Sequence, residues 1–249
     1  MAAATAIAPT FERAATQRLG RTILEAVMAA RSAADTNANL GIILLTAPLA
    51  AVPDGETLTA AAVDRVLAQL GAADAADVYQ AIALARPGGM DRVDRDDVNG
   101  TPPTDLLAAM RAAADRDQIA RLWAEGFEPL FAGPVVDLAA SLEAGMPLLE
   151  AIVDCHLRQL AREADSLISR KHGADTAAHV TTVAAAILRL PPAERPVATA
   201  AFDASLRSPR RLNPGTTADI VAAALYIQLR TGRITPSLDV SPQAAPRTP

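Results

Sequence analysis

Residues 10–52 read TFERAATQRLGRTILEAVMAARSAADTNANLGIILLTAPLAAV, and two patterns in this stretch decide the fold. Over Thr10 to Ala34, the apolar positions Phe11, Ala14, Ala15, Leu19, Ile23, Val27 and Met28 recur at the spacing of a helix with one buried face. The pattern stops at Asp35-Thr36-Asn37, side chains that compete for the backbone and favour caps over helix interiors. From about Ala38 to Ala50 the chain is apolar all round, as a helix enclosed by other helices must be.

The rest of the chain repeats this grammar. Helices are expected from Thr57 or Thr59 to Leu70, from Ala73 to Ala85, and from Thr104 as cap through Met110 and Ile119 toward Phe127. Pro134 suits the first turn of another helix, and Gly145-Met146-Pro147 interrupts that pattern before a run to Leu160. Asp165 to Arg170 reads as a short helix closed by His172-Gly173, followed by helices over Asp175–Leu190, Pro192–Leu206 and Thr216–Thr231. Nearly a quarter of the 249 residues are alanine and only 3% are aromatic, a composition that favours helix and starves a β-sandwich or barrel. The expected fold is all-α: one multi-helix globular domain over 1–232, with a disordered tail over 233–249.

Composition also removes whole classes of function. A net charge of −5 argues against a general nucleic-acid binder, which needs a basic field to displace counterions. The single cysteine, Cys155, permits no internal disulfide. Residues 1–9 lack the basic start of a secretion signal, and the apolar run Leu40 to Val52 falls short of the roughly 20 residues a membrane span needs. A soluble cytoplasmic protein is expected, with room for a homo-oligomer.

Familiar catalytic signatures are missing: no Walker loop, no dinucleotide fingerprint, no serine-hydrolase elbow. His156, His172 and His179 lack metal-ligand spacing. Cys155 and His156 are neighbours on one helix and point about 100° apart, so they read as packing residues rather than a nucleophile and its base. Five polar patches interrupt the apolar helices instead. Asn37 and Asn39 flank Gly41 at the head of the all-apolar helix, where a small residue permits close approach. The stretch Arg86 to Pro103 has no sustained period and carries Gly88-Gly89 with Asp91, Asp94, Asp96 and Asp97. An EF-hand frame with Gly100 sixth would put Arg95 first and Leu106 last, where carboxylates are required, so that reading fails. The aspartate-rich signature of helical prenyl-transfer enzymes fails as well, because Gly100 stands where its third aspartate belongs. Clustered carboxylates able to hold Mg²⁺ on a polyphosphate remain, beside the plainer reading of a solvated turn. Arg116-Asp117 sits in the pattern of a helix, and Asp165-Ser166 with Arg170-Lys171 mixes a carboxylate with two cations. Asn213-Pro214-Gly215-Thr216-Thr217 precedes a helix whose first amides could take an anion, with Asp219 close behind, although capping alone would account for the threonines.

Taken in order, the segments resemble the triphosphoribosyl-dephospho-coenzyme A synthase family. The resembling stretches are Thr36-Asn37-Ala38-Asn39-Leu40-Gly41 with Leu44 to Leu49, Arg86-Pro87-Gly88-Gly89, and Asp97-Val98 with Leu106 to Met110. They continue with Arg116 to Ala120 leading to Phe127, Asp165 to Ile168 with Arg170-Lys171, and Asn213-Pro214-Gly215 with Ala218-Asp219. The match looks closer to the branch found in archaea and one-carbon-metabolising bacteria than to the citrate lyase branch. The resemblance implies an all-helical transferase that joins ATP to 3′-dephospho-coenzyme A and releases adenine, leaving a triphosphoribosyl group on the acceptor's ribose hydroxyl. It further implies ATP and a dephospho-CoA-type acceptor as partners, with Mg²⁺ as cofactor. Asp97 and Asp117 are then expected nearest metal or acid–base work, with Asp94, Asp97 and Asp165 as metal ligands. Asn37, Asn39, Arg86, Gly88, Gly89, Arg170, Lys171, Asn213 and Gly215 are expected to bind the nucleotide. The alternatives are an enzyme of methanopterin- or methanofuran-type cofactor synthesis with another acceptor, and a non-catalytic helical subunit. The family pattern begins with a lysine-proline-glycine segment and an aspartate-methionine pair that fall upstream of Met1, and no lysine precedes Lys171. The expectation is either a start placed too far downstream or a nucleotide site that has lost a part.

Overall fold

The computed structural model describes residues 2–34, 39–85 and 103–235, and within them regular structure is entirely helical. The order is α1 (Ala2–Phe11), a 3₁₀ turn (Ala14–Thr16), α2 (Leu19–Ala33), α3 (Leu40–Ala51), α4 (Ala60–Leu67), α5 (Ala72–Ala85), α6 (Leu106–Ala113) and α7 (Gln118–Ala124). There follow α8 (Glu128–Leu130), a π turn (Phe131–Val135), α9 (Val136–Glu143), α10 (Leu148–Arg162), α11 (Ser166–His172), α12 (Ala174–Leu188), α13 (Arg195–Arg207) and α14 (Gly215–Arg230).

The one helix expected over 10–34 is broken between Phe11 and Leu19, where a 3₁₀ turn is followed by an extended Gln17, and side-chain bonds hold the broken form. Arg13, Gln17 and Arg21 all turn onto Glu25, at 3.5, 3.1 and 2.8 Å, while Arg18 reaches across to Asp77 of α5 at 2.8 Å. The expected helix from Thr104 to Phe127 is likewise two. Asp105, not Thr104, caps α6 by accepting from the Ala108 amide at 2.9 Å, and Asp117 caps α7 instead of lying within a helix. Pro134 falls inside the π turn that runs into α9, and α13 starts at Arg195 with Pro196 in its first turn, later than Pro192. The expected glycine stop holds at Gly173, whose φ of +89° closes α11.

As its composition demands, α3 is enclosed: everything from Ile43 to Ala51 is buried. Pro48 in its middle has no N–H to give the Leu44 carbonyl, and the Trp123 indole Nε1 donates to that carbonyl instead, at 3.1 Å. The larger apolar core joins α2 to α7 and one side of α14, and a second joins α10 to α13. Leu138, Ala151, Cys155 and Val221 bridge the two, so α14 is the wall that both halves share. The start of that wall is where the polar segments meet.

Candidate functional site

Asp117 divides its carboxylate between two tasks. Oδ1 accepts from the Ile119 and Ala120 amides at 2.9 and 3.1 Å, capping α7, and Oδ2 takes Nη1 of Arg170 at 3.0 Å. Both partners of the pair keep more than a quarter of their side-chain surface. Arg170 is the fifth residue of α11, whose own cap is Asp165. That carboxylate is completely buried. Its Oδ1 accepts from the Ile168 amide at 2.9 Å, and its Oδ2 accepts from both the amide and the hydroxyl of Thr217, at 2.8 and 2.9 Å. Asp165 therefore ties α11 to α14. Thr217, read from sequence as an ordinary capping residue, is the other end of that tie, and α14 has no side-chain cap of its own.

The third carboxylate is Asp219 on α14. It takes no hydrogen bond and no ion pair from any described residue, and Gly41 of α3 packs so closely that a Cβ there would overlap its carboxylate. Burial, with the charges of Asp165 and Asp117 behind it, pushes Asp219 up to about 7. Such a group exchanges its proton near neutral pH, where acid–base chemistry is most effective. Asp219 was singled out in the sequence but given no role in the site: it was legible as an acid early in α14, but nothing in its spacing says that Asp165 and Asp117 come within electrostatic reach of it. The signals available were its place in the family-like Ala218-Asp219 stretch and Gly41, whose missing side chain makes room for it.

Among the other expected residues, Asn39 stands at the head of α3 beside a small surface hollow lined also by Val27, Arg31 and Ala85. Gly215 lets α14 start against α11, since a Cβ there would meet Leu167 Cδ2 at 2.6 Å, and the Asn213 side chain lies beside it. Lys171 is exposed in the last turn of α11, next to Arg170. Asn37, Arg86, Gly88, Gly89, Asp94 and Asp97 lie outside the described residues. Among the described residues no group of three acidic, histidine or cysteine side chains could hold a metal ion by itself. Asp165, expected as a metal ligand, has both oxygens engaged by protein donors and no exposed surface, which makes it a clasp between helices. Cys155 and His156 behave as packing residues: the thiol is fully buried, donates to the Pro134 carbonyl at 3.4 Å and is pushed up to about 12 by burial, while burial pushes the His156 imidazole down. No described helix is long and apolar enough to cross a membrane.

With this geometry in place, comparison with known proteins is specific. A family profile described as ATP:dephospho-CoA triphosphoribosyl transferase matches residues 1–235. Among solved structures, the chain is similar to a crystal structure of a candidate triphosphoribosyl-dephospho-CoA synthase from Archaeoglobus fulgidus. The two share 25% identity over 93% of this chain and 98% of that one, with a TM-score of 0.73. No curated protein matches the chain.

Proposed function

Because the chain belongs to the ATP:dephospho-CoA triphosphoribosyl transferase family, we propose that the Asp117–Asp165–Asp219–Arg170 cluster is where it carries out that family's reaction. The reaction breaks the bond between ribose and adenine in ATP and forms a bond from the same ribose carbon to a hydroxyl of 3′-dephospho-CoA. Positive, oxocarbenium-like charge develops on the ribose as adenine departs, and carboxylates stabilise it. The incoming hydroxyl loses a proton and the departing adenine gains one, so a carboxyl group that exchanges protons near pH 7 suits the exchange.

The observation that carries this reading is Asp219: a carboxylate without a protein donor among the described residues, pressed against Gly41 of α3 and within electrostatic reach of Asp165 and Asp117. We assign it the proton transfer. Asp117 lies on its ribose-facing side in this reading, and Arg170, with Lys171 beside it, meets the triphosphate through charge-assisted hydrogen bonds. Asn39, Asn213 and Gly215 line the nucleotide's approach; Asn37, Arg86, Gly88, Gly89, Asp94 and Asp97 keep the binding and metal roles expected from the family resemblance. Mg²⁺ bound with the triphosphate would offset phosphate charge, and Asp94 and Asp97 are the residues that would hold it. The described residues supply no closed cage for it. We place the enzyme in the cytoplasm.

The test is incubation with ATP, Mg²⁺ and 3′-dephospho-CoA. Free adenine should appear in equal amount to a product heavier than the acceptor by a triphosphoribosyl group. Adenine released only when the acceptor is changed to another hydroxyl compound would point to a different substrate, and no release with any acceptor would leave a helical subunit without this activity.

A further inference from the structure

Three helices meet at the site, and each delivers one charged group: α7 brings Asp117, α11 brings Arg170 and α14 brings Asp219. Beneath these groups runs a second, uncharged set of contacts. The Gln118 side chain accepts from the Ser166 amide through Oε1 at 2.9 Å, and the Gln118 amide donates back to Ser166 Oγ at 3.4 Å. Ser166 Oγ then donates to Thr216 Oγ1 at 3.1 Å. All three residues are buried, at 3%, 5% and 4% exposed. Gln118 directly follows Asp117. Ser166 lies four residues before Arg170 and Thr216 three before Asp219, spacings that stack side chains on one helix face.

We infer that Gln118, Ser166 and Thr216 are positioning residues, a buried hydrogen-bonded strut that fixes Asp117, Arg170 and Asp219 relative to one another. The inference rests on the reading above that these three charged groups form the active site. Stability alone does not explain the strut. Gln118 leaves its amide Nε2 buried with no hydrogen-bond partner among the described residues. That cost is one a methionine of similar volume would avoid. Hydrogen bonds between fixed donors and acceptors are directional, whereas apolar packing tolerates sliding, so a polar contact between helix starts holds register that an apolar one would not.

Gln118→Met and Thr216→Val both preserve size: Gln118→Met removes the acceptor of the Ser166 amide while leaving the Gln118 backbone bond to Ser166 Oγ, and Thr216→Val removes the hydroxyl that accepts from Ser166 Oγ. We expect each to lower kcat for adenine release 10- to 100-fold with KM for ATP changed less than threefold, and Thr216→Ser, which restores a hydroxyl, to recover most of the loss. In an Asp117→Ala background, Gln118→Met should cost less than threefold more, because its effect passes through Asp117. Crystals of ligand-free Gln118→Met should show the Arg170–Asp117 contact, 3.0 Å in the parent, opened beyond 4 Å. Parental kcat in folded Thr216→Val, losses that multiply with Asp117→Ala, or Thr216→Ser as impaired as Thr216→Val would each overturn the strut. Should Gln118→Met not fold, the Thr216→Val and Thr216→Ser pair decides. Absence of adenine release from the parent would sink the functional reading instead, and the separation in the variant crystals would then decide the strut by itself.

Discussion

Two places in this molecule press a glycine of one helix against an aspartate of another, and they are built to opposite ends. At the α2–α5 junction, Gly20 lies against Asp74, and a Cβ on it would come within 2.5 Å of the Asp74 backbone. The carboxylate there is fully provided for: Oδ1 accepts from the Gly20 amide at 2.9 Å, Oδ2 from the Gly71 amide at 3.1 Å, and Arg18 stands 3.6 Å away. At the α3–α14 junction, Gly41 lies against Asp219, which has no donor among the described residues and two carboxylates for neighbours. A buried charge with donors and a cation holds helices together; a buried acid without them weakens the fold and is kept for chemistry.

Replacing each acid by its amide should sharpen this contrast most. For Asp219 the sign follows from its titration: the folded protein holds the proton up to about 7, while the unfolded chain releases it at the ordinary carboxylate value. Between these limits the folded state binds more protons, so stability falls as pH rises from about 4 to about 7 and then levels. Asp219→Asn should remove that fall and stabilise the protein by about 3 kcal/mol at pH 8, measured by urea unfolding across pH. Asp74→Asn should destabilise it by about 2–4 kcal/mol at the same pH, because two amides and Arg18 lose a carboxylate. A loss of stability in both variants would erase the distinction.

The glycines give the next largest effect. Gly20→Ala meets backbone, which cannot step aside, and should cost about 1–3 kcal/mol in thermal or denaturant unfolding. Gly41→Ala meets the Asp219 carboxylate and the tip of Ile119, side chains rather than backbone, so it should cost less stability but lower adenine release by about tenfold or more through displacement of that carboxylate. Smallest is Arg170→Ala. Loss of one charge-assisted contact to phosphate should raise KM for ATP by about tenfold, read in the same adenine assay. An unchanged KM would place the triphosphate elsewhere.

How far the sequence leads differs between the same two places. Apolar periodicity located α3 and most of its neighbours, because an enclosed helix has to be apolar on every side. It misjudged residues 10–34 and 104–127, where alanine-rich segments would form helix throughout if left alone; the Arg18–Asp77 pair in one case, and the bonds from Asp117 and Gln118 to Arg170 and Ser166 in the other, hold the broken form. For the site, family-like segments pointed to Asp117, Asp165 and Arg170, and the structure brings these three together. It could not assign their tasks. Asp165 and Asp219 are both acids beside a helix start, yet one takes donors from Ile168, three residues on, and from Thr217, 52 residues on, while the other takes none from the described residues.

The account stands or falls on Asp219 at the reaction. Adenine release from ATP and 3′-dephospho-CoA should be measured for the parent and for Asp219→Asn, with folding of the variant verified by its unfolding curve. We expect turnover to drop by about a hundredfold or more, the range for loss of a group that moves a proton in the transition state, in a protein at least as stable as the parent. An Asp219→Asn protein that releases adenine at the parental rate would contradict the account.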